Sequence, residues 1–242
     1  MADRSRASVL SVPWRPTDVA FAVGAIIIGP VLVLNVLAAL LVRSLDLSPT
    51  QETLFIRLVW LLLLEGSLVA TAWFFTVRKY RVSWESLGFR PISVGRVVLW
   101  AFGAMLVAAV VNATYVYVFI ERLGLDFLRP RPLPPDFTAN QMVFTVFGLM
   151  AIVVAPLAEE IFFRGFVFPG LGRKLGIALG AVLSGLLFGL SHIDIGTIFP
   201  TAVLGVLFAV MYYKTRSIYA SMTAHCVNNM LAVLALRATG VS

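Results

Sequence analysis

Apolar runs long enough to cross a bilayer recur along the whole chain, broken by short polar linkers, and nothing alternates with the period of a barrel strand. A hydrocarbon core of roughly 30 Å needs about 20 helical residues. Runs of that order fall at 19–42, 53–77, 97–120, 142–163, 175–191, 195–213 and 217–236. Backbone groups in lipid must be satisfied within their own segment, so the pattern predicts an all-α polytopic transmembrane helix bundle of about seven to eight spans. Glycine and proline mark the connections: Pro49, then Gly88 and Pro91, then R-P-R-P-L-P-P from Arg129 to Pro135, then the stretch from Pro169 to Gly172. No internal repeat is visible. The chain divides into 1–140, an N-terminal membrane region with about three spans, and 141–242.

Composition supports this reading, with 60% hydrophobic and 13% charged residues, far from the balance of a soluble domain. The formal charge of +7 is spread over linkers and forms no basic domain. Orientation and anionic lipid account for it, so the lipid bilayer is an expected partner and nucleic acid is not. The single cysteine, Cys226, excludes a disulfide within the chain and a Cys-rich metal site. Arg4, Arg6 and Arg15 precede an apolar run too long for a signal-peptide core, which predicts an uncleaved first span and no targeting peptide. Further basic residues gather at Arg78, Lys79 and Arg81, at Arg90 and Arg96, at Arg173 and Lys174, and at Lys214 and Arg216, while the opposite side holds Arg43, Arg122, Arg129, Arg131 and Arg237. The positive-inside rule therefore predicts a multi-pass protein of the cell membrane with a cytoplasmic N-terminus.

Against this background, A-P-L-A-E-E-I-F-F-R-G-F from Ala155 to Phe166 is anomalous. Each ionised side chain near a helix centre costs roughly 2.5 to 3.5 kcal/mol on insertion scales, so Glu159, Glu160 and Arg164 need compensation. Glu160 and Arg164 are four apart with the acid first, the favourable order for an ion pair on one helical face. Such a pair satisfies itself and fixes a helix end. Glu159 is turned about 100° away and is the carboxylate freer to act elsewhere. Two later spans carry F-G-L-S-H, with Phe188 and His192 four apart, and H-C-V-N-N, with His225 and Asn229 four apart. Taken singly, His192 or Asn229 is equally well an ordinary interhelical hydrogen-bond former. Phe188 is expected to pack, and Cys226 to be a small buried thiol facing away from His225. Arg57 and Glu65 in the second span are eight apart and not on one face; Arg57 can snorkel, and Glu65 receives no role, although a buried acid there is a runner-up site.

Together, E-E-x-x-x-R at Glu159, Glu160 and Arg164, F-x-x-x-H at Phe188 and His192, and H-x-x-x-N at His225 and Asn229 resemble the motif set of the CAAX prenyl endopeptidase and bacteriocin-processing family of intramembrane proteases. The resemblance covers about the last hundred residues, from Met142 to Leu236, and implies that 141–242 is a protease core. By it, Glu159 matches the glutamate that activates water, His192 the histidine that assists, and His225 with Asn229 the pair that stabilises the oxyanion. Glu160, Arg164 and Phe188 are implied as supporting residues. Family members are commonly described with eight membrane helices. The family has also been described both as metalloproteases and as metal-independent glutamate proteases. Glu159, His192 and His225 have the ligand types of a catalytic Zn2+ site, but the H-E-x-x-H signature is absent, and the reading here favours no metal. The implied substrate is a peptide or protein at the membrane, with a lipidated C-terminal tail as in the eukaryotic branch or a small peptide or membrane partner as the alternatives.

The residue chemistry agrees with that function. Peptide hydrolysis needs a base for water, an acid for the leaving amine and donors for the oxyanion, and these side chains supply all three. Two other functions remain: a non-enzymatic membrane immunity or scaffold protein held together by the polar cluster, and a small proton-coupled transporter. Geometry adds an expectation. A turn near Gly170 between straight helices would leave Glu159 about 16 Å and His192 about 33 Å from it, so non-helical or surface-lying backbone is expected around Pro169 to Gly176.

Overall fold

The fold is given by a computed structural model, which describes residues 9–42, 49–132, 137 and 140–239. The apolar runs are helical, and no β-strand occurs among the described residues. α1 is Pro16–Val42 and α2 is Pro49–Trp73, continued by a π-helical stretch Phe74–Arg78. α3 is Val94–Tyr115, continued by a second such stretch, Val116–Arg122. α4 (Gln141–Leu149), α5 (Ala155–Glu160) and α6 (Phe168–Leu190) follow, joined by π-helical stretches Met150–Val154 and Ile161–Val167. α7 (Ile195–Thr215) and α8 (Ile218–Thr239) complete the bundle.

Four helical runs among the described residues are long and apolar enough to cross a membrane: Leu54–Arg78, Val94–Arg122, Gln141–Leu190 and Ile195–Thr215. Pro16–Gly29 is a shorter apolar helix. α8 has lower hydropathy because it carries Thr223, His225, Asn228 and Asn229. The chain is thus an all-α, multi-pass membrane protein.

The 50-residue run Gln141–Leu190 does not continue straight. Gly176, at φ 82° and ψ 173°, folds it back, a conformation that glycine adopts without Cβ strain. Beyond the fold the two arms touch: a Cβ on Gly180 would lie 2.6 Å from the Gly172 Cα, the Ser184 hydroxyl donates to the Phe163 carbonyl at 3.2 Å, and the Phe163 and Phe188 rings are 5.2 Å apart. The expectation of non-helical or surface-lying backbone over Pro169 to Gly176 is therefore corrected. Helix persists through Pro169, Gly170 and Gly172, and only Gly176 leaves it. Pro169 is tolerated because it sits in the first turn of α6. Gly170 and Gly172 serve close packing instead of turning, since a Cβ there would lie 2.8 Å or less from Trp14, Val19 or Leu10.

The segment leading into α1 clamps the folded end. Trp14 Nε1 donates to the Phe166 carbonyl at 2.9 Å, and Arg173 donates to the carbonyls of Val12 and Pro13 at 2.8 and 2.7 Å. Asp18 ties α1 to the end of α2 through Lys79 Nζ at 2.5 Å and the Tyr80 hydroxyl at 2.7 Å. Helix starts are set by Asn140, whose side chain accepts from the Met142 N–H at 2.8 Å, and by Asp194, which accepts from the Gly196 N–H at 3.3 Å. Pro200 inside α7 has no N–H for the Gly196 carbonyl, and that carbonyl accepts from the buried Tyr115 hydroxyl of α3 at 3.4 Å.

Close contact between the two arms makes Gly180→Ala a test of the fold-back. The added methyl must push against Gly172 backbone, so we expect a loss of about 1–3 kcal/mol, read as a lower unfolding midpoint in detergent. Gly103→Ala in α3, where the new atom meets nothing within 4 Å, should leave the midpoint unchanged or raised.

Candidate active site

Folding at Gly176 brings the charged helix and the first histidine level. Glu159 lies 17 residues before Gly176 and His192 lies 16 after it, so at about 1.5 Å per residue both stand roughly 25 Å from the fold. With the fold at Gly176, the mismatch that a turn near Gly170 would impose does not arise. Glu159, His192 and Asn229, from α5, the end of α6 and α8, line one cavity of about 340 Å³. Its remaining wall is mostly apolar, with Leu61, Leu64, Phe144, Phe147, Val233 and Leu236.

Behind the cavity lies a buried charged cluster. The Arg164 guanidinium and the Glu160 carboxylate, both fully buried, pair at 3.0 Å, as the four-residue spacing predicts. Arg164 also lies over the Phe188 and Phe208 rings, 4.3 and 5.2 Å from their centroids, and donates to the Gly205 carbonyl at 3.4 Å. Aromatic faces and a carboxylate replace the water this cation loses. Glu160 has a second partner, His225 Nδ1 at 3.1 Å. The opposite ring nitrogen of His225, Nε2, faces Glu159 Oε2 at 3.5 Å. A neutral His225 that donates Nδ1–H to the Arg164-paired carboxylate thus turns the lone pair of Nε2 towards Glu159.

His192 shows the same ordering by simpler means. Its Nδ1 lies 2.9 Å from the Phe188 carbonyl, which can only accept, so the hydrogen is on Nδ1 and Nε2 is left as the acceptor. Phe188 holds both imidazoles edge-on, 5.0 Å from His192 and 5.5 Å from His225 between centroids, and is packing as expected. Asn229 Nδ2 donates to the Ala151 carbonyl at 2.8 Å. In a π register that carbonyl would face residue 156, and Pro156 has no N–H to offer it. Cys226 turns away into a separate apolar groove with Met222 and Met230.

Of the residues singled out in the sequence, Glu159, His192 and Asn229 therefore meet at one cavity, while His225 joins them from the charged cluster with both ring nitrogens directed at glutamates. Sequence reasoning kept Glu65 only as a runner-up, without a role. This acid of α2 is buried, 4% exposed, and lines the same cavity. The signal was present in L-L-L-L-E-G, an acid inside a span, but no partner on its own helix pointed to a site. Among the described residues no group of three or more His, Cys, Asp or Glu side chains is placed to hold a metal ion.

Helices of membrane length around a carboxylate–imidazole cluster define a multi-pass membrane protein with an internal polar site. Within it, residues 141–231 match the model of the family described as Rce1-like, Type II CAAX prenyl endopeptidase Rce1-like, so the chain is similar to that family over this stretch, which lies within a few residues of the one marked by the motifs. Two curated relatives are similar. One is "Putative membrane peptidase YdiL" of Bacillus subtilis (strain 168), 25% identical over 146 residues, which are 59% of this chain and 57% of the relative. The other is described as "Uncharacterized protein" from Mycoplasma capricolum subsp. capricolum (strain California kid / ATCC 27343 / NCTC 10154), 29% identical over 150 residues, 57% of this chain and 44% of that protein. The chain thus spans about half the length of the curated relatives it matches. No solved structure gives a significant match.

The two adjacent glutamates should separate cleanly. Glu160→Gln or Arg164→Met leaves one buried partner unpaired, and we expect each to lower stability by about 3–5 kcal/mol, read from unfolding in detergent. The double variant should recover a large part of that loss. Glu159→Gln, outside the Arg164 pair, should leave the midpoint nearly unchanged.

Proposed function

We propose that the chain is an intramembrane endopeptidase in which Glu159 and His192 activate a water molecule for attack on a peptide carbonyl. The observation that carries this reading is the convergence of Glu159, His192 and Asn229 from separate helices on one cavity, with His225 directed at Glu159. Glu159 takes a proton from water as its oxygen attacks the carbonyl carbon. His192 Nε2, free to accept, orients that water. The proton passes to the leaving amine as the C–N bond breaks, with His225 Nε2 as its stopping place beside Glu159. Asn229 keeps a second amide N–H beyond the one on Ala151 and offers it to the oxyanion. Glu160 and Arg164 hold His225 in its tautomer and are positioning residues.

The reaction is read as metal-free, the H-E-x-x-H signature being absent from the chain. Chelation should then leave turnover intact, and a chelator-dependent loss restored by Zn2+ would overturn that part. The substrate is a peptide whose flanks are apolar, in keeping with the cavity wall, and a lipidated C-terminal tail is one form it can take. The distribution of arginine and lysine favours a cytoplasmic N-terminus.

Incubating membrane peptides with purified wild-type protein and Glu159→Gln, read by mass spectrometry, tests the function. We expect new peptide termini with wild type and a fall of at least about 10³-fold with the variant, although the variant still inserts and folds. Equal turnover would remove Glu159 from the reaction. A phenotype insensitive to Glu159→Gln but lost with packing variants would favour a scaffold.

A further inference from the structure

Glu65 is a charged side chain of the cavity that the reaction above does not use. It sits in the middle of α2, 4% exposed, and its Oε2 has no hydrogen-bond partner. The other ionisable groups at the site are engaged: Glu160 with Arg164, His225 with both glutamates, and His192 with the Phe188 carbonyl. Glu65 and Glu159 line the same cavity and are near enough for their charges to interact. A carboxylate in an apolar wall without a counter-charge is costly, and it strongly favours any cation that enters beside it. Its helix also lies outside the stretch 141–231 that matches the family model, so Glu65 is supplied by a part of the chain separate from Glu159, His192 and Asn229.

We propose that Glu65 is a specificity residue whose carboxylate binds an ammonium or guanidinium group of the peptide, so that the preferred substrate is an apolar segment with one basic group near the scissile bond. This rests on the peptidase reading. The apolar wall takes the flanking side chains, and Glu65 fixes their register by pairing with the one charge among them. The basic group is a lysine or arginine side chain, or the free α-amine of a peptide held by its N-terminus.

The probes are apolar peptides in which a single lysine replaces norleucine at successive positions, each with a free or an acetylated N-terminus. With wild type, kcat/KM should favour lysine over norleucine at one register by on the order of tenfold or more, mainly through KM. In Glu65→Gln the ratio should fall to about one, Glu65→Asp should retain a preference, and Glu65→Lys should reverse it towards glutamate. If the preference tracks acetylation and not the lysine, the α-amine is the group bound. A wild-type ratio near one with both kinds of peptide, or a Glu65→Gln variant that loses kcat equally on all peptides with the ratio intact, overturns the proposal. Fluorescence polarisation of the labelled lysine and norleucine peptides on wild type and Glu65→Gln gives the same comparison without turnover. A lysine-selective or free-amine-selective affinity lost in Glu65→Gln supports cation recognition even if no peptide is cut, and affinities equal across lysine, norleucine, free and acetylated peptides refute it even if cleavage occurs.

Discussion

Nearly equal arms on either side of Gly176 put Glu159 and His192 at one depth. A helix rises a fixed distance per residue, so two groups on its folded halves can meet only if the fold lies midway between them. The run Gln141–Leu190 satisfies this with one residue of positive φ, and the small residues Gly172, Gly180 and Ser184 let the arms close. Gly205 and Gly185 continue the same device between α6 and α7, where a Cβ on Gly205 would lie 2.8 Å from the Gly185 Cα. In a membrane, where apolar side chains gain little by meeting each other, this close backbone contact is what joins helices.

Once the arms are closed, the buried charges order the site. Arg164 neutralises Glu160, and that pair is fully removed from solvent. Glu160 then holds Nδ1 of His225, and the far side of the same ring reaches Glu159. One glutamate is thereby structural and its neighbour, about 100° round the helix, is left to the cavity. The π-helical stretches on either side of α5 widen the helix where this happens, and the Ala151 carbonyl anchors Asn229 at the same level.

Much of this was legible in the chain. The all-α class and several helix starts follow from the apolar runs: the expected start at 195 coincides with that of α7, and 217 is one residue from the start of α8. The i, i+4 spacings of Glu160 with Arg164 and Phe188 with His192 are local and appear as contacts. The irregular backbone was expected anywhere from Pro169 to Gly176, because Gly170, Gly172 and Gly176 look alike as letters. Only Gly176 turns, while the others admit Trp14, Leu10 or each other's backbone, and those neighbours come from distant sequence. Glu65 was left without a role for the same reason, since its meaning depends on α5 and α8. His225 was expected to converge with Glu159, His192 and Asn229, but its contact with Glu160 was not foreseen, because that carboxylate comes from another helix.

The position of the fold can be measured without a substrate. In a Cys226→Ser background, the pair Glu159→Cys with His192→Cys and the pair Glu159→Cys with Ala181→Cys would be treated in native membranes with a short bifunctional thiol reagent. A fold at Gly176 joins the first pair and leaves the second unlinked. Linking of the second pair and not the first would place the turn near Gly170, separate the glutamate from the histidine and contradict the site.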